Sequence, residues 1–262
     1  MKKAKHTNNN SLRRATRMWS PLFLGPVVIA FCIGFVWPFL QGIWLSLCQF
    51  KTIGDAKFIG FGNYVRAFQD PSFRHAFWYT ALFAVVSLVL INVLAFAVAY
   101  VLTQGIKGSN LFRTVFFMPN LIGGIVLGYI WSMIFDGILS RWSTSILMDS
   151  RFGFWGLIIL MCWQQIGYMM IIYIAGLQNV PGEMLEAARI DGLSEYGIYR
   201  RIVLPQMGPS IATLVIFTFV SNWNDFMGPM IYLNSTELKT VQLGIRMFMG
   251  QYSTEYGLIM AA

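Results

Sequence analysis

Between two long apolar runs the chain reads Val180-Pro-Gly-Glu-Met-Leu-Glu-Ala-Ala-Arg-Ile-Asp-Gly-Leu-Ser-Glu-Tyr-Gly-Ile-Tyr-Arg-Arg-Ile-Val-Leu-Pro205. This is a helix, a turn and a second helix. Pro181 suits a first helical turn, with Glu183 and Glu186 near the positive end of the helix dipole. Asp191-Gly192 ends that helix, because Gly192 can take the left-handed cap position. Ser194 can cap the second helix, Arg200 and Arg201 fall in its last turn, Pro205 stops it, and Pro209 opens the next apolar run. On the first helix Pro181, Met184, Leu185 and Ala188 line one side at helical spacing. The helix is too short to stand alone in water, and Ala187, Ala188 and Gly192 let another surface approach closely. Two roles fit: docking to a cytoplasmic protein, or an amphipathic connector lying on the membrane surface.

The flanking sequence makes this segment a loop between membrane spans. Of 262 residues, 56% are hydrophobic and only 11% charged, against about 25% charged in a soluble domain. A membrane-crossing helix needs about 20 mostly apolar residues. Five segments qualify: Leu22–Leu47, Phe77–Leu102, Val115–Phe135, Phe154–Leu177 and Ile211–Leu233. The net charge is +8, but Lys2, Lys3, Lys5, Arg13, Arg14 and Arg17 crowd the start without an acid among them. That pattern anchors a cytoplasmic N-terminus and is not a nucleic-acid footprint, since the basic residues flank apolar spans. Residues 1–18 read as a disordered basic tail, 19–76 as the first span and an outer loop, and 77–262 as the membrane core. Lys107 and Arg113 then fall inside, while the 51–76 loop, outside, carries Lys51, Lys57, Arg66 and Arg74 against Asp55 and Asp70. The first apolar run is far longer than the roughly 7–15 residues of a signal core, so it reads as a retained span. Cys32, Cys48 and Cys162 lie in or beside apolar runs without metal-ligand spacing and read as packing residues. After the fifth span a polar loop leads to Tyr256-Gly-Leu-Ile-Met-Ala-Ala, which looks like the start of a sixth span, and the sequence reads as C-terminally truncated.

Enzyme machinery is not in view. There is no Gly-x-x-x-x-Gly-Lys-Ser/Thr loop to cradle ATP phosphates, and Gly60-Phe-Gly62 lacks the rest of a dinucleotide fingerprint. The two histidines, His6 and His75, lie outside the spans, so neither a metal cluster nor a His-dependent triad can be built within them. Polar groups inside spans are costly in lipid and face protein or water. Asn92, Asn120, Gln164, Gln165, Asn222, Asn224 and Asp225 are such groups, with Trp131, Trp163 and Trp223 nearby. They serve either a solute path or helix-to-helix hydrogen bonding with aromatic belts. Asp225 is the only carboxylate in the five spans. Gly124 and Gly128 permit close helix packing, and Pro38 and Pro119 are candidates for kinks.

Glu186-Ala187-Ala188, three residues, Gly192, nine residues, Ile202, one residue and Leu204-Pro205 resemble, at every fixed position, the EAA loop of bacterial ABC importer permeases. Phe58-Ile-Gly-Phe-Gly-Asn-Tyr-Val65, Leu111-Phe-Arg-Thr-Val-Phe-Phe-Met-Pro119 and Trp223-Asn-Asp-Phe226 resemble stretches of the carbohydrate-uptake, type-1 branch. The first half looks like one permease partner of that branch and the end like the other, and the family has six spans where five are complete here. The resemblance implies an all-α integral membrane fold in the bacterial cytoplasmic membrane. It implies that Glu186, Ala187, Ala188, Asp191, Gly192, Ile202, Leu204 and Pro205, within a loop spanning 182–205, couple the spans to an ATPase dimer. A second permease and an extracytoplasmic solute-binding protein would complete the assembly. This chain would bind no cofactor, ATP and Mg residing on the ATPase. A sugar path would use aromatic faces with amide and carboxylate hydrogen bonds, as Asn120, Gln164, Gln165, Asn222, Trp223, Asn224 and Asp225 offer. An ion-coupled secondary carrier is the alternative; it would need ionisable groups placed for coupling, of which Asp225 alone offers itself.

Overall fold

The structure is a computed structural model that describes residues 9–50, 53–146, 148, 150–233, 239–248 and 256–261. The described residues are almost entirely helical, and the chain divides into two units, Met1–Ala67 with Phe248–Ala262, and Phe68–Met247.

In the first unit, α1 (Asn9–Phe31) runs through a π segment, Cys32–Val36, into α2 (Trp37–Ser46). Trp19–Ser46 is long and apolar enough to cross a membrane, and none of its most apolar window is buried. The π segment ends two residues before Pro38, whose missing N–H and ring disturb the regular ladder there. The tail expected to be disordered is helical from Asn9; Leu12, Arg13, Arg14 and Ala15 are good helix formers that extend the apolar span backwards. Residues 1–8 lie outside the described residues.

Beyond α2, β1 (Cys48–Gln49) pairs antiparallel with β2 (Lys57–Phe58), and α3 (Gly62–Gln69) follows. Asn63, fully buried, ties these pieces together. Its amide donates to the carbonyls of Ser46 and Cys48 at 2.8 Å each and its oxygen accepts from Arg66 at 2.6 Å. The Tyr64 hydroxyl meets Ser46 Oγ at 2.8 Å. The Phe58–Val65 stretch is thus a folding device. Tyr256–Ala261, the expected start of a sixth span, is helical (α14) and packs on α2 and β1. A Cβ on its Gly257 would lie 2.8 Å from the Cys48 carbonyl oxygen. Ala262 lies outside the described residues.

The second unit is built on α4 (Pro71–Thr103), which begins six residues before the expected Phe77 because Asp70 caps it: the Phe73 N–H donates to Asp70 Oδ1 at 3.0 Å. Its buried face recurs at helical spacing through Ala76, Thr80, Phe83, Ser87, Ile91, Ala95, Ala99 and Leu102. Against it pack α7 (Ser150–Gln178) and α11 (Gly208–Trp223).

Two of the five expected spans are broken. The third becomes α5 (Ser109–Phe117), a short 3-10 turn Met118–Leu121 and α6 (Gly124–Leu139), bent by 101°. Pro119 opens the 3-10 turn, and Ile122 and Gly123 take extended backbone that no helix can continue. The fifth becomes α11 and α12 (Met227–Tyr232), separated at Asn224–Phe226. Three helices are long and apolar enough to cross a membrane, or up to five if each of two bent pairs counts as one span, the first being α5 with α6 and the second the helical stretch Glu195–Gln206 with α11. Of the Gly124/Gly128 pair, Gly128 alone marks a close approach: a Cβ there would lie 2.5 Å from Ile231 Cδ1, and the Tyr232 hydroxyl donates to its carbonyl at 3.0 Å. Cys48 and Cys162 are buried and Cys32 exposed, all as free thiols.

Candidate coupling loop and translocation cleft

The loop singled out by sequence folds as α8 (Gly182–Ile190), a turn, α9 (Glu195–Ile198), a π segment Tyr199–Val203 and α10 (Leu204–Gln206). Pro181 sits at the N-cap, one residue before the helical turn expected for it. Gly192 has φ +78, the left-handed value that glycine adopts without penalty. Around it the Leu193 N–H donates to the Ala188 carbonyl and the Gly192 N–H to the Arg189 carbonyl, both at 3.0 Å, which is a Schellman closure of α8. Ser194 caps α9 by accepting from the Gly197 N–H at 3.2 Å. Arg189 and Glu195 close the turn as an exposed ion pair at 3.0 Å, and the carboxylate holds the guanidinium above its ordinary range.

Pro205 does not end the second helix. Helix continues through it to Gln206, and the bend of 67° comes at Met207, ahead of α11. The π segment Tyr199–Val203 rewires the ladder just before Pro205, so its missing N–H costs less than in a regular helix.

The side expected to be apolar on α8 is split. Ala188 is buried; Leu185 is half-buried and lines a hollow of about 310 Å³ with Tyr100 and Thr103 of α4 and Leu177 and Gln178 of α7. Pro181, Met184, Glu186, Ala187, Asp191 and Gly192 are exposed, as are Leu204 and Pro205, while Ile202 is half-buried. Ile190 was missed: it is 81% exposed. Only the tertiary packing, which buries Ala188 and leaves Ile190 outside, could have revealed it.

The polar residues of the spans separate into two groups. Asn120, Gln164, Gln165, Ser221 and Asp225 line one cleft of about 240 Å³, floored by Leu160, Met161 and Met227. The interruptions in spans three and five place Asn120, Ser221 and Asp225 on it, while Gln164 and Gln165 come from the middle of the unbroken α7. One oxygen of Asp225 faces the start of α12, with the Gly228 N–H donating to Oδ1 at 3.4 Å. Oδ2 of Asp225 and Oε1 of Gln165 are buried without a hydrogen-bond partner. A Cβ on Gly228 would lie 2.6 Å from that Oδ2.

The second group holds helices together. Asn222 is buried; it donates to Ser87 Oγ at 3.0 Å and accepts from Gln165 Nε2 at 2.9 Å, linking α4, α7 and α11. Asn92 accepts from the Tyr173 hydroxyl at 2.8 Å and donates to Thr218 at 3.3 Å. Trp223 packs on Phe77 and Phe219. Asn224 is exposed and bonds the Val220 carbonyl and Gln242. Asn222, Trp223 and Asn224 are therefore not among the residues lining the cleft. Ser221, which lines it, was missed because a serine in an apolar run bonds its own helix as readily.

Apolar helices long enough to span a bilayer, two further interrupted apolar segments beside a polar cleft, and an exposed helix–turn–helix between spans define a multi-pass membrane permease. The chain belongs to the family described as binding-protein-dependent transport system inner membrane component, which matches residues 104–262. It is 36% identical over 229 residues to a probable starch degradation products transport system permease of Thermoanaerobacterium thermosulfurigenes, covering 84% of this chain and 76% of that one. It is 30% identical to the lactose transport system permease of Rhizobium radiobacter, covering 85% and 81%. It is 28% identical to an sn-glycerol-3-phosphate transport system permease of Yersinia pseudotuberculosis, covering 77% and 72%. A solved bacterial ABC transporter involved in import of the acidic polysaccharide alginate shares the fold, with a TM-score of 0.77 at 20% identity over 96% of this chain and 91% of that one.

Proposed function

We propose that this chain is a transmembrane permease subunit of an ATP-driven sugar importer. It forms half of a translocation path with a second permease and receives solute from an extracytoplasmic binding protein. It takes its energy from an ATPase dimer that holds ATP and Mg. The N-terminus is cytoplasmic. One observation carries the coupling role: α8 is closed at its C-terminal end by its own Schellman turn, yet presents Glu186, Ala187 and Ile190 outward with no partner surface among the described residues. Such a helix is preformed, so a cleft on an ATPase can grip it without first ordering it. Closure of the ATPases then moves α8, and with it the ends of α4 and α7 that share a hollow with Leu185, between two arrangements of the path.

Sugar transport by the relatives supports the substrate class, as does a cleft lined by amides, a hydroxyl and a carboxylate. Ion-coupled carriage is not favoured: the family is one of binding-protein-dependent systems.

The test is Gly192→Val. Nothing lies within 4 Å of the position, so the added side chain meets no neighbour. It does strain a left-handed backbone by about 1–2 kcal/mol and unsettles the turn between α8 and α9. ATP-driven uptake should fall about 5- to 30-fold, as that strain converts to, with the protein still in the membrane. Unchanged uptake would contradict the coupling role.

A further inference from the structure

The cleft carries a sign of charge as well as a polarity. Its lining includes Asp225, and among the described residues that line it none is Lys, Arg or His. The guanidinium of Arg246, on a neighbouring segment, lies over the Phe226 ring at 4.4 Å. Of the side chains that line the cleft, two have a buried atom left without a partner, Asp225 Oδ2 and Gln165 Oε1, and both atoms are acceptors. What such a wall lacks is donors, and leaving an acceptor unmet in a dry site is costly. Hydroxyl groups supply donors; carboxylates and phosphates do not.

We infer that the wall of the path built by this chain selects neutral, hydroxyl-rich sugars and turns away uronate- or phosphate-bearing ones. The inference rests on the sugar-permease reading above and narrows it. The relatives span both kinds of cargo by name, starch products and lactose on one side and glycerol phosphate on the other. The chemistry of this cleft places the chain with the first. At ~6 Å and an effective dielectric of about 20, repulsion between a solute anion and the Asp225 carboxylate corresponds to about 100-fold in affinity.

The experiment uses the assembled transporter, this chain with its partner permease and ATPase, in lipid nanodiscs without the binding protein. Removing the binding protein separates the selectivity of the path from that of delivery. Equilibrium dialysis with labelled maltotriose, lactose and trigalacturonate should show at least about 10-fold tighter binding of a neutral sugar than of the triuronate. Asp225→Asn should narrow that ratio about 10-fold. Asn120→Lys, at an exposed position on the cleft, should shift it the same way by adding a cation, so the idea stays testable if the first variant fails to assemble. Trigalacturonate binding as tightly as the neutral sugars, a ratio unmoved in both variants, or no binding of any probe would overturn the inference. ATP-driven uptake by the complete system, measured alongside, bears on the broader reading: its absence overturns that reading, whereas uptake with the uronate preferred overturns only the selectivity.

Discussion

At the scale of residues, buried polar side chains decide which helices stay together. Asn63 has both its donors and its oxygen engaged within one small unit. Asn63→Ala leaves the Ser46 and Cys48 carbonyls without that donor, a loss of about 1–3 kcal/mol. It should appear as a lower unfolding temperature in detergent and earlier proteolysis between residues 46 and 66. Asn222 and Gln165 make the complementary case inside the spans. A double-mutant cycle with Asn222→Ala and Gln165→Ala should return a coupling of about 0.6 kcal/mol, the usual scale for hydrogen bonds between membrane helices. A coupling indistinguishable from zero would mean that the bond at 2.9 Å holds nothing. Roles of this kind were only partly legible in sequence. An amide in an apolar run announces that it needs a partner, but not whether the partner is a helix or a solute. Asn222 and Asn120 look alike in sequence; one is sealed between helices and the other opens on the cleft.

At the scale of elements, local chemistry was readable and long-range bending was not. The caps at Gly192 and Ser194 depend on a few consecutive residues, so their types and spacing declared them. The breaks at Ile122–Gly123 and Asn224–Phe226 were hidden because hydropathy averages over some twenty residues and absorbs a three-residue interruption. Pro205 misled in the opposite direction, since a π segment before it lets the helix continue. The bent third span is held by contact at Gly167 of α7, where a Cβ would run into the backbone of Phe116 and Phe117. Backbone cannot yield as a flexible side chain can. Gly167→Ala should therefore destabilise by about 1–3 kcal/mol, an overpacking cost, read as loss of folded protein after mild heating in detergent. The same change at Gly124, where nothing lies within 4 Å, should leave stability within about 0.5 kcal/mol.

At the scale of the whole molecule, composition already required a bilayer, and the EAA spacing already pointed to an outside source of energy. What the structure adds is a physical division of labour. One end of α4 and of α7 shares a hollow with Leu185 of the exposed coupling helix, while the middle of α7 and the last turn of α11 border a polar cleft. Motion imposed at the first place has packed helices through which to reach the second. The most direct test places this chain, its partner permease and the ATPase in proteoliposomes and supplies the binding protein loaded with its sugar. The account predicts uptake that requires ATP, stops with vanadate and is indifferent to a protonophore. Uptake that proceeds without ATP and collapses with the protonophore would contradict it.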